Sequence, residues 1–469
     1  MDRQLIFPMA EKYQEYVIDE SKFSGYADSI SFPEKEEEII EIVNEMRNNK
    51  VPITIQSGKT GIVGGSVPQG GHIMNLSQMT AIGEARVMDD GSAVLTVGPG
   101  LNLMELNKEV GRLFRKKPLF WPPQPTETSA AIGGIAAAAA KGINACYYGD
   151  SRQYVDKIRM VLADGSIRVL EREADSVEMD MILGGEGIYG VIDEVTVKLV
   201  PKPENVWGIS FFFEHSEDIS SFAESLLGLR NDREGYITAA EYLDREVLDR
   251  IEERKSTMTK IKDLPDIAER FCGMVYLEIA GREERVEELA EEMMEAAAVC
   301  NSDPEEAWAV TGESEIEKMH AFRHAAAEVT NLYIEEVRKL DSRITKLGTD
   351  MELPGDLFGE QLAMYKDDMK ASGLTGCVFG HLLDGHLHVN ILPRNYEEYL
   401  SGKEVIGRWA LKGKEQQNRV AGEHGIGKLK SHLTDQILTS EQQRAIRELK
   451  EKYDPGEMWN PGNIFPGRE

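Results

Sequence analysis

The chain has 469 residues, room for about three domain-sized units, and its 41% hydrophobic and 29% charged content is that of a globular protein with a large core. A net charge of −29 repels nucleic-acid phosphates and anionic membrane surfaces, so neither is expected as a partner. Four scattered cysteines without a Cys-x-x-Cys pair argue against a disulfide scaffold, a zinc ribbon and an iron–sulfur cluster. No apolar run is long enough for a transmembrane segment and the N-terminus lacks a signal pattern, so a cytoplasmic location is expected.

In chain order, residues 1–32 read as a lead-in with a few helical turns. Pro33 opens an expected helix with glutamates at its positive end and an apolar face of Ile39, Ile40, Val43 and Met46. Val51-Pro-Ile-Thr-Ile-Gln reads as a strand running into Ser57-Gly58-Lys59-Thr60-Gly61-Ile62-Val63-Gly64-Gly65. Glycines there let backbone N–H groups approach anionic oxygens, so a phosphate group is the expected ligand. It is not a Walker A loop, which would need glycine where Ile53 stands, and the Rossmann glycine spacing also fails.

Phe120-Trp121-Pro122-Pro123-Gln124-Pro125 is rigid and extended. It leads into Thr128-Ser129-Ala130-Ala131-Ile132-Gly133-Gly134-Ile135 and five alanines, small residues that admit either a flat aromatic ligand or a closely packed helix. Residues 155–170 read as two strands around Ala163-Asp164-Gly165. Gly184-Gly185-Glu186-Gly187-Ile188-Tyr189-Gly190-Val191 then runs into a strand at 195–199.

These four blocks, in this order, resemble the PCMH-type FAD-binding domain of the vanillyl-alcohol oxidase superfamily, whose relatives include D-lactate dehydrogenases, the D subunit of glycolate oxidase and D-2-hydroxyglutarate dehydrogenases. The resemblance implies an α+β fold: a two-part FAD-binding domain at 1–203, an α+β substrate (cap) domain at 204–420, and a C-terminal segment at 421–469 that returns to the flavin. It implies that Ser57, Gly58, Lys59, Thr60, Gly61, Gly64 and Gly65 hold the FAD pyrophosphate. Pro123, Thr128, Ser129, Ile132, Gly133 and Gly134 would line the flavin, and Glu186, Gly187, Gly190 and Val191 would add backbone contacts. Asn460, in the terminal Asn-Pro-Gly-Asn, is the last implied cofactor residue. Ala139-Ala140-Lys141-Gly142 stands where the family has Asn-Ala-Gly-Gly, so an asparagine contact is expected to be missing. With no histidine in the glycine loop or the proline block, FAD is expected to be non-covalent.

Beyond residue 202, strands at 207–214 and 275–280 alternate with charged helices, an α+β pattern, and the glutamate-rich stretch 283–298 reads as a solvated helix face. Met319-His320-Ala321-Phe322-Arg323-His324 begins another helix. The resemblance implies that Arg323 clamps a substrate carboxylate, which its bidentate fork suits. The plain alternative is a surface arginine. The threonine and lysine that take a second carboxylate in the hydroxyglutarate relatives lack good counterparts, since Ala327 holds the threonine position and Lys346 fits only with a gap.

Residues 377–393 carry three of the nine histidines. Asp384-Gly385 is a two-residue hairpin signal, because a type I′ turn needs positive φ at both central positions. Counted outward, Leu383 pairs with His386, Leu382 with Leu387 and His381 with His388; opposed Cβ atoms stand roughly 5 Å apart, close enough for two imidazoles to share a metal. His386 and Asn390 share that face. The plain alternative is a hairpin with surface histidines. Downstream, Glu423 beside His424 in Ala421-Gly422-Glu423-His424-Gly425-Ile426-Gly427 offers a carboxylate ligand and a base. The family's Gly-His-x-x-Asp-Gly-Asn-x-His and Gly-Glu-His-Gly-Ile-Gly motifs imply that His381, His388 and Glu423 bind a divalent metal, zinc, manganese or iron, while His424 works on substrate. His386 stands where the family has asparagine, and its part as ligand, bystander or source of a metal preference is open.

The activity implied is that of an FAD-dependent 2-hydroxy acid dehydrogenase, with D-lactate or glycolate as expected substrate. Arg323 would neutralise the carboxylate and His424 would take the hydroxyl proton. Electrons would pass to a separate protein or a quinone, and a homodimer is an allowed assembly. One rival is a metal-dependent hydrolase, which would use the same His-His-Glu set on water but has no need of the flavin blocks. The other is a non-catalytic flavin-binding subunit, which has no need of the metal and base.

Overall fold

A mixed four-stranded sheet opens the chain in the computed structural model, which describes residues 3–229, 235–353, 357–416 and 421–467. Its strands are β1 (Ile6–Pro8), β2 (Ser29–Ser31), β3 (Ile53–Gln56) and β4 (His72–Asn75), in spatial order β1-β2-β4-β3. β4 runs parallel to β2 and β3, and the helix Glu36–Asn49 lies between β2 and β3 in the chain. That helix starts after Lys35, an extended cap residue, and not at Pro33. Its buried stripe is Ile39, Ile42, Val43 and Met46. Ile42 replaces the expected Ile40 because 39, 42, 43 and 46 follow the i, i+3, i+4, i+7 spacing of one helical face.

A second sheet in the same unit holds β5 (Ile82–Val87), β6 (Ala93–Val97), β7 (Leu119–Phe120), β8 (Val155–Val161), β9 (Ile167–Glu171) and β10 (Val191–Pro201), ordered β5-β6-β10-β8-β9 with β7 on β10. β8 and β9 are the strands expected around Ala163-Asp164-Gly165, and Gly165 turns with φ of 82°. The helix stripe meets Ile53, Met74, Val161, Val191 and Trp459 in one core cluster, where each fully buried aliphatic side chain contributes about 1.5–3 kcal/mol. The C-terminus returns to this core: Ile53 N–H donates to Met458 O (2.7 Å) and Asn460 N–H to Ile53 O (2.9 Å).

By contact, the chain divides into two compact units, Met1–Gly142 with Gly149–Lys202 and Glu423–Glu469, and Ile143–Tyr148 with Pro203–Gly422. The second unit is built on an eight-stranded antiparallel sheet. Its strands are β11 (Asn205–Phe213), β12 (Gly235–Asp244), β13 (Gly273–Gly281), β14 (Trp308–Thr311), β15 (Leu347–Gly348), β16 (Met351–Glu352), β17 (Gly376–His381) and β18 (His386–Ile391). They are ordered β14-β11-β13-β12-β17-β18-β15, with β16 also on β18. Alternation along β11 explains why both faces are covered. Phe211 and Phe213 meet Phe222 of the helix Ser216–Leu229, with ring centroids 5.2 and 5.4 Å apart. Phe212 points the other way, into a cluster with Met319 and Phe322 of the helix Glu313–Leu340. That helix is 28 residues long, so Met319 and Arg323 lie within it and do not begin it. Among the described residues no helix is long and apolar enough to cross a membrane.

Candidate functional site

β17 and β18 form the expected hairpin with a register two residues away from the expected one. His381 pairs with His386, Gly380 with Leu387 and Phe379 with His388, so residues 382–385 form a four-residue loop. Only Gly385 of the Asp384-Gly385 pair has positive φ, 59°, which rules out the type I′ turn. The wider loop also buries Leu382 and Leu383, and it is tied down by Leu382 N–H to Ala240 O (2.8 Å) and Leu353 N–H to Gly385 O (3.0 Å). A slip of two keeps every side chain on its face. The rings of His381, His386 and His388 therefore still gather, with centroids 5.7 Å (381 to 386), 5.9 Å (381 to 388) and 4.6 Å (386 to 388) apart. All three are buried, so they are not surface histidines.

Strand register extends this cluster across the sheet. Tyr276 lies opposite Glu241, Glu241 opposite His381, His381 opposite His386, and His386 opposite Glu352. Glu241 is fully buried, and its carboxylate accepts from Arg323 Nε while also bonding Nδ1 of His381. Burial alone would raise its pKa, but the charges of Arg323 and His381 and their hydrogen bonds hold it below the ordinary value. Arg323 is likewise buried, so it is not a surface arginine, and its guanidinium lies 5.0 Å from the Phe379 ring centre. One helical turn earlier, His320 bonds Glu278, which also accepts from Tyr276 OH at 2.7 Å. Burial pulls the His320 pKa down, but the Glu278 carboxylate more than reverses this and leaves it raised.

His386 Nε2 bonds Asp350 Oδ1 at 3.0 Å with both side chains fully buried. The Asp350 carbonyl accepts from Gly422 N–H at 2.8 Å. Ligand-capable nitrogens of His381 and His388 lie within 4.8 Å of each other. Donors around one zinc ion stand roughly 3–4 Å apart, given bonds of about 2.0–2.2 Å, so this buried imidazole pair is near the spacing that a divalent metal requires. Glu423 and His424 follow Gly422 directly in the sequence.

In the first unit, the glycine loop leaves β3 as expected. Among the described residues no acceptor takes the backbone N–H groups of residues 58–65, and Ser57 Oγ is buried without a partner. A Cβ added at Gly61 or Gly134 would meet nothing within 4 Å, whereas one at Gly58 would sit 3.0 Å from Ser129 O, so the loop lies against the block that starts at Thr128. Unsatisfied amides beside small residues fit an anionic, flat cofactor such as FAD. Other expected cofactor residues have structural partners. Lys59 lies over the Tyr16 ring, Thr128 O accepts from Met104 N–H, and Ile132 and Gly133 donate to Leu101 O and Pro99 O. Pro123 is buried, and Thr60 Cγ2 lies 3.6 Å from the Cβ position of Gly58. Gly64 packs on Phe23 and Leu429, and Gly190 on Val161 at the start of the Val191 strand pairing.

The Glu186 carboxylate accepts from Ile426 N–H (2.6 Å) and Gly427 N–H (2.7 Å). Asn460 accepts from Ile55 N–H and donates to Glu186 O, both at 2.7 Å, and leaves no room for a Cβ at Gly187. These two side chains thus bind protein, leaving backbone for a cofactor. Gly65 O receives Lys428 Nζ and Asn463 Nδ2, each at 3.1 Å. Lys428 directly follows the Gly-Glu-His-Gly-Ile-Gly motif and Asn463 closes the terminal Asn-Pro-Gly-Asn, but neither residue type by itself signals a contact to the glycine loop. Glu241 and Asp350 are isolated acidic residues in strand-forming stretches, and only register brings them to the histidines.

Two family models match the chain: FAD binding domain over residues 27–171, and FAD linked oxidases, C-terminal domain, over residues 204–464. The chain is 27% identical over 447 residues to D-lactate dehydrogenase of Anaerostipes hadrus, covering 91% of this chain and 87% of the relative. It is 26% identical over 454 residues to glycolate oxidase subunit GlcD of Bacillus subtilis, covering 95% and 90%. The solved structure of p-cresol methylhydroxylase with substrate bound matches with a TM-score of 0.75 at 15% identity, over 98% of this chain and 94% of that one. At that identity the likeness concerns fold alone, and it bears out the expected vanillyl-alcohol oxidase type.

Proposed function

The chain belongs to the FAD linked oxidases, and on that premise we propose that it oxidises a small 2-hydroxy acid, D-lactate or glycolate, to the 2-oxo acid. The observation that carries this reading is the buried trio of Arg323, Glu241 and His381, which sets an anion-binding guanidinium beside an imidazole pair. Residues 1–203 hold FAD, 204–420 bind the acid, and 421–469 complete the site. When bound, FAD supplies the two-electron acceptor. A divalent metal, when bound, supplies positive charge that lowers the pKa of the substrate hydroxyl.

The residues divide the work by their chemistry. The amides of residues 58–65 meet the pyrophosphate. Among the described residues, Arg323 bonds protein through Nε alone, which leaves its Nη pair to face the substrate carboxylate. His381, His388 and Glu423 hold the metal, and His424 receives the hydroxyl proton. Support for Glu423 and His424 is their match to the family's Gly-Glu-His-Gly-Ile-Gly motif and their place directly after Gly422, whose N–H is fixed on Asp350. A monocarboxylate is favoured because Ala327 offers no hydroxyl and Lys346 donates to Asn331. The relative named as a glycolate oxidase subunit supports an acceptor on a separate protein; a quinone is the other acceptor proposed.

Anaerobic titration of the holoprotein with D-lactate, glycolate and D-2-hydroxyglutarate tests this. The flavin absorbance should bleach with at least one of the first two. An oxidised spectrum that persists with all three, with zinc or manganese present, overturns the proposal.

A further inference from the structure

We infer that Glu241 is a positioning residue on which both the substrate clamp and the metal site depend. This rests on the roles given above to Arg323 and His381, and adds a residue to them.

The inference comes from how one carboxylate is divided. Glu241 sits on β12 inside the eight-stranded sheet, opposite His381 of β17, with no solvent exposure. One oxygen, Oε2, accepts from Arg323 Nε; the other, Oε1, meets His381 Nδ1. A lone pair on Nδ1 would repel the carboxylate, so Nδ1 carries a proton, and Nε2 is the nitrogen through which His381 would ligate a metal. A histidine whose far nitrogen donates to a carboxylate is also a more basic ligand with a fixed ring. On the other side, the bond at Nε and the Phe379 ring set the plane of the Arg323 guanidinium, which determines where its outer fork points. Glu241 also places a negative charge between two positive centres, the guanidinium and a metal on His381, that would otherwise repel each other in a medium of low dielectric.

Glu241→Gln separates positioning from mere support. A glutamine offers one acceptor and one donor group, whereas Arg323 Nε and His381 Nδ1 both ask for an acceptor. If the amide oxygen stays with Arg323, His381 must shift its proton to Nε2 and loses its ligand nitrogen. Adding Arg323→Met removes the competing donor and returns the amide oxygen to His381.

The experiment titrates zinc into metal-stripped, full-length protein by calorimetry. Wild type should bind, Glu241→Gln should bind 10- to 100-fold more weakly, and Glu241→Gln with Arg323→Met should recover most of the affinity. KM for the 2-hydroxy acid should rise in Glu241→Gln, while flavin content stays at the wild-type level in both variants. Zinc affinity unchanged in Glu241→Gln, with His388→Ala having lost binding, overturns the inference but leaves the metal reading intact. Wild type that binds no zinc overturns the metal reading itself and this inference with it. Should the single variant not fold, the double variant decides: it removes the Arg323 guanidinium together with the carboxylate, and weak zinc binding there overturns the inference.

Discussion

Glu186 and Ile426 are 240 residues apart in sequence and joined by a 2.6 Å hydrogen bond from the Ile426 amide to the Glu186 carboxylate. Gly427 N–H takes the second oxygen, and Lys428 and Leu429 N–H both go to Val63 O. Burial raises the Glu186 pKa, opposed by these amides. The turn that follows Glu423 and His424 is therefore pinned to two of the blocks assigned to the flavin. Glu186→Ala leaves two buried amides unsatisfied and should cost roughly 2–5 kcal/mol. Hydrogen exchange should accelerate at residues 425–429, with loss of turnover. Unchanged protection there would show that the turn is held by other means.

The glycine loop can be probed without disturbing the fold. Gly61→Ala meets no protein atom and needs no positive φ, so its melting temperature should match wild type while flavin per polypeptide falls at least tenfold in affinity. Gly111→Ala, also in open space but within the helix Leu103–Leu113, should stabilise by about 0.5–1 kcal/mol and leave flavin untouched. Full flavin occupancy in Gly61→Ala would remove the loop from the cofactor site.

Much of this was readable in the sequence because it is local. The glycine loop, the hairpin and the Glu423-His424 motif each occupy one short stretch whose residue types dictate their backbone. The hairpin register departs from the local expectation for an equally physical reason: Asp384-Gly385 favours a tight turn, but burying Leu382 and Leu383 favours the wider one, and tertiary packing wins. Glu241, 140 residues from its histidine, carries no local signal, since an acidic residue in a strand ordinarily marks an exposed face. Likewise Arg323 was legible as a residue, but its burial and its partner were not.

We read His386 as a support for Asp350. Its Nε2 bonds that carboxylate, and it joins no set of donors with His381 and His388 among the described residues. His386→Asn should keep zinc binding within a few-fold of wild type, because an amide can still donate to Asp350. His386→Leu removes one hydrogen-bond partner of the buried Asp350 carboxylate and should lower stability by roughly 1–3 kcal/mol. Zinc binding abolished by His386→Asn would make it a ligand instead.

Asp244 gives a pH signature. It caps the helix Arg245–Arg254 through Val247 N–H (3.0 Å). Burial raises its pKa to about 7, against the Val247 amide and the Lys366 charge. With an unfolded value near 3.9, its contribution is fully present below about pH 4 and lost as pH rises through 7. Asparagine caps equally well without the charge, so the melting temperature of Asp244→Asn should gain on wild type between pH 5 and 8. Parallel curves would contradict the assignment. Asp193, raised to about 7, and Asp19, raised to about 6, act in the same direction but cancel in the difference.

The most direct measurement of the central claim is an anaerobic single turnover. Holoprotein loaded with zinc or manganese is mixed with D-lactate or glycolate, and flavin reduction and 2-oxo acid are both quantified. The account predicts equimolar reduced flavin and pyruvate or glyoxylate, and neither product in Arg323→Met. Flavin that stays oxidised, or flavin that is reduced without any 2-oxo acid, would contradict it.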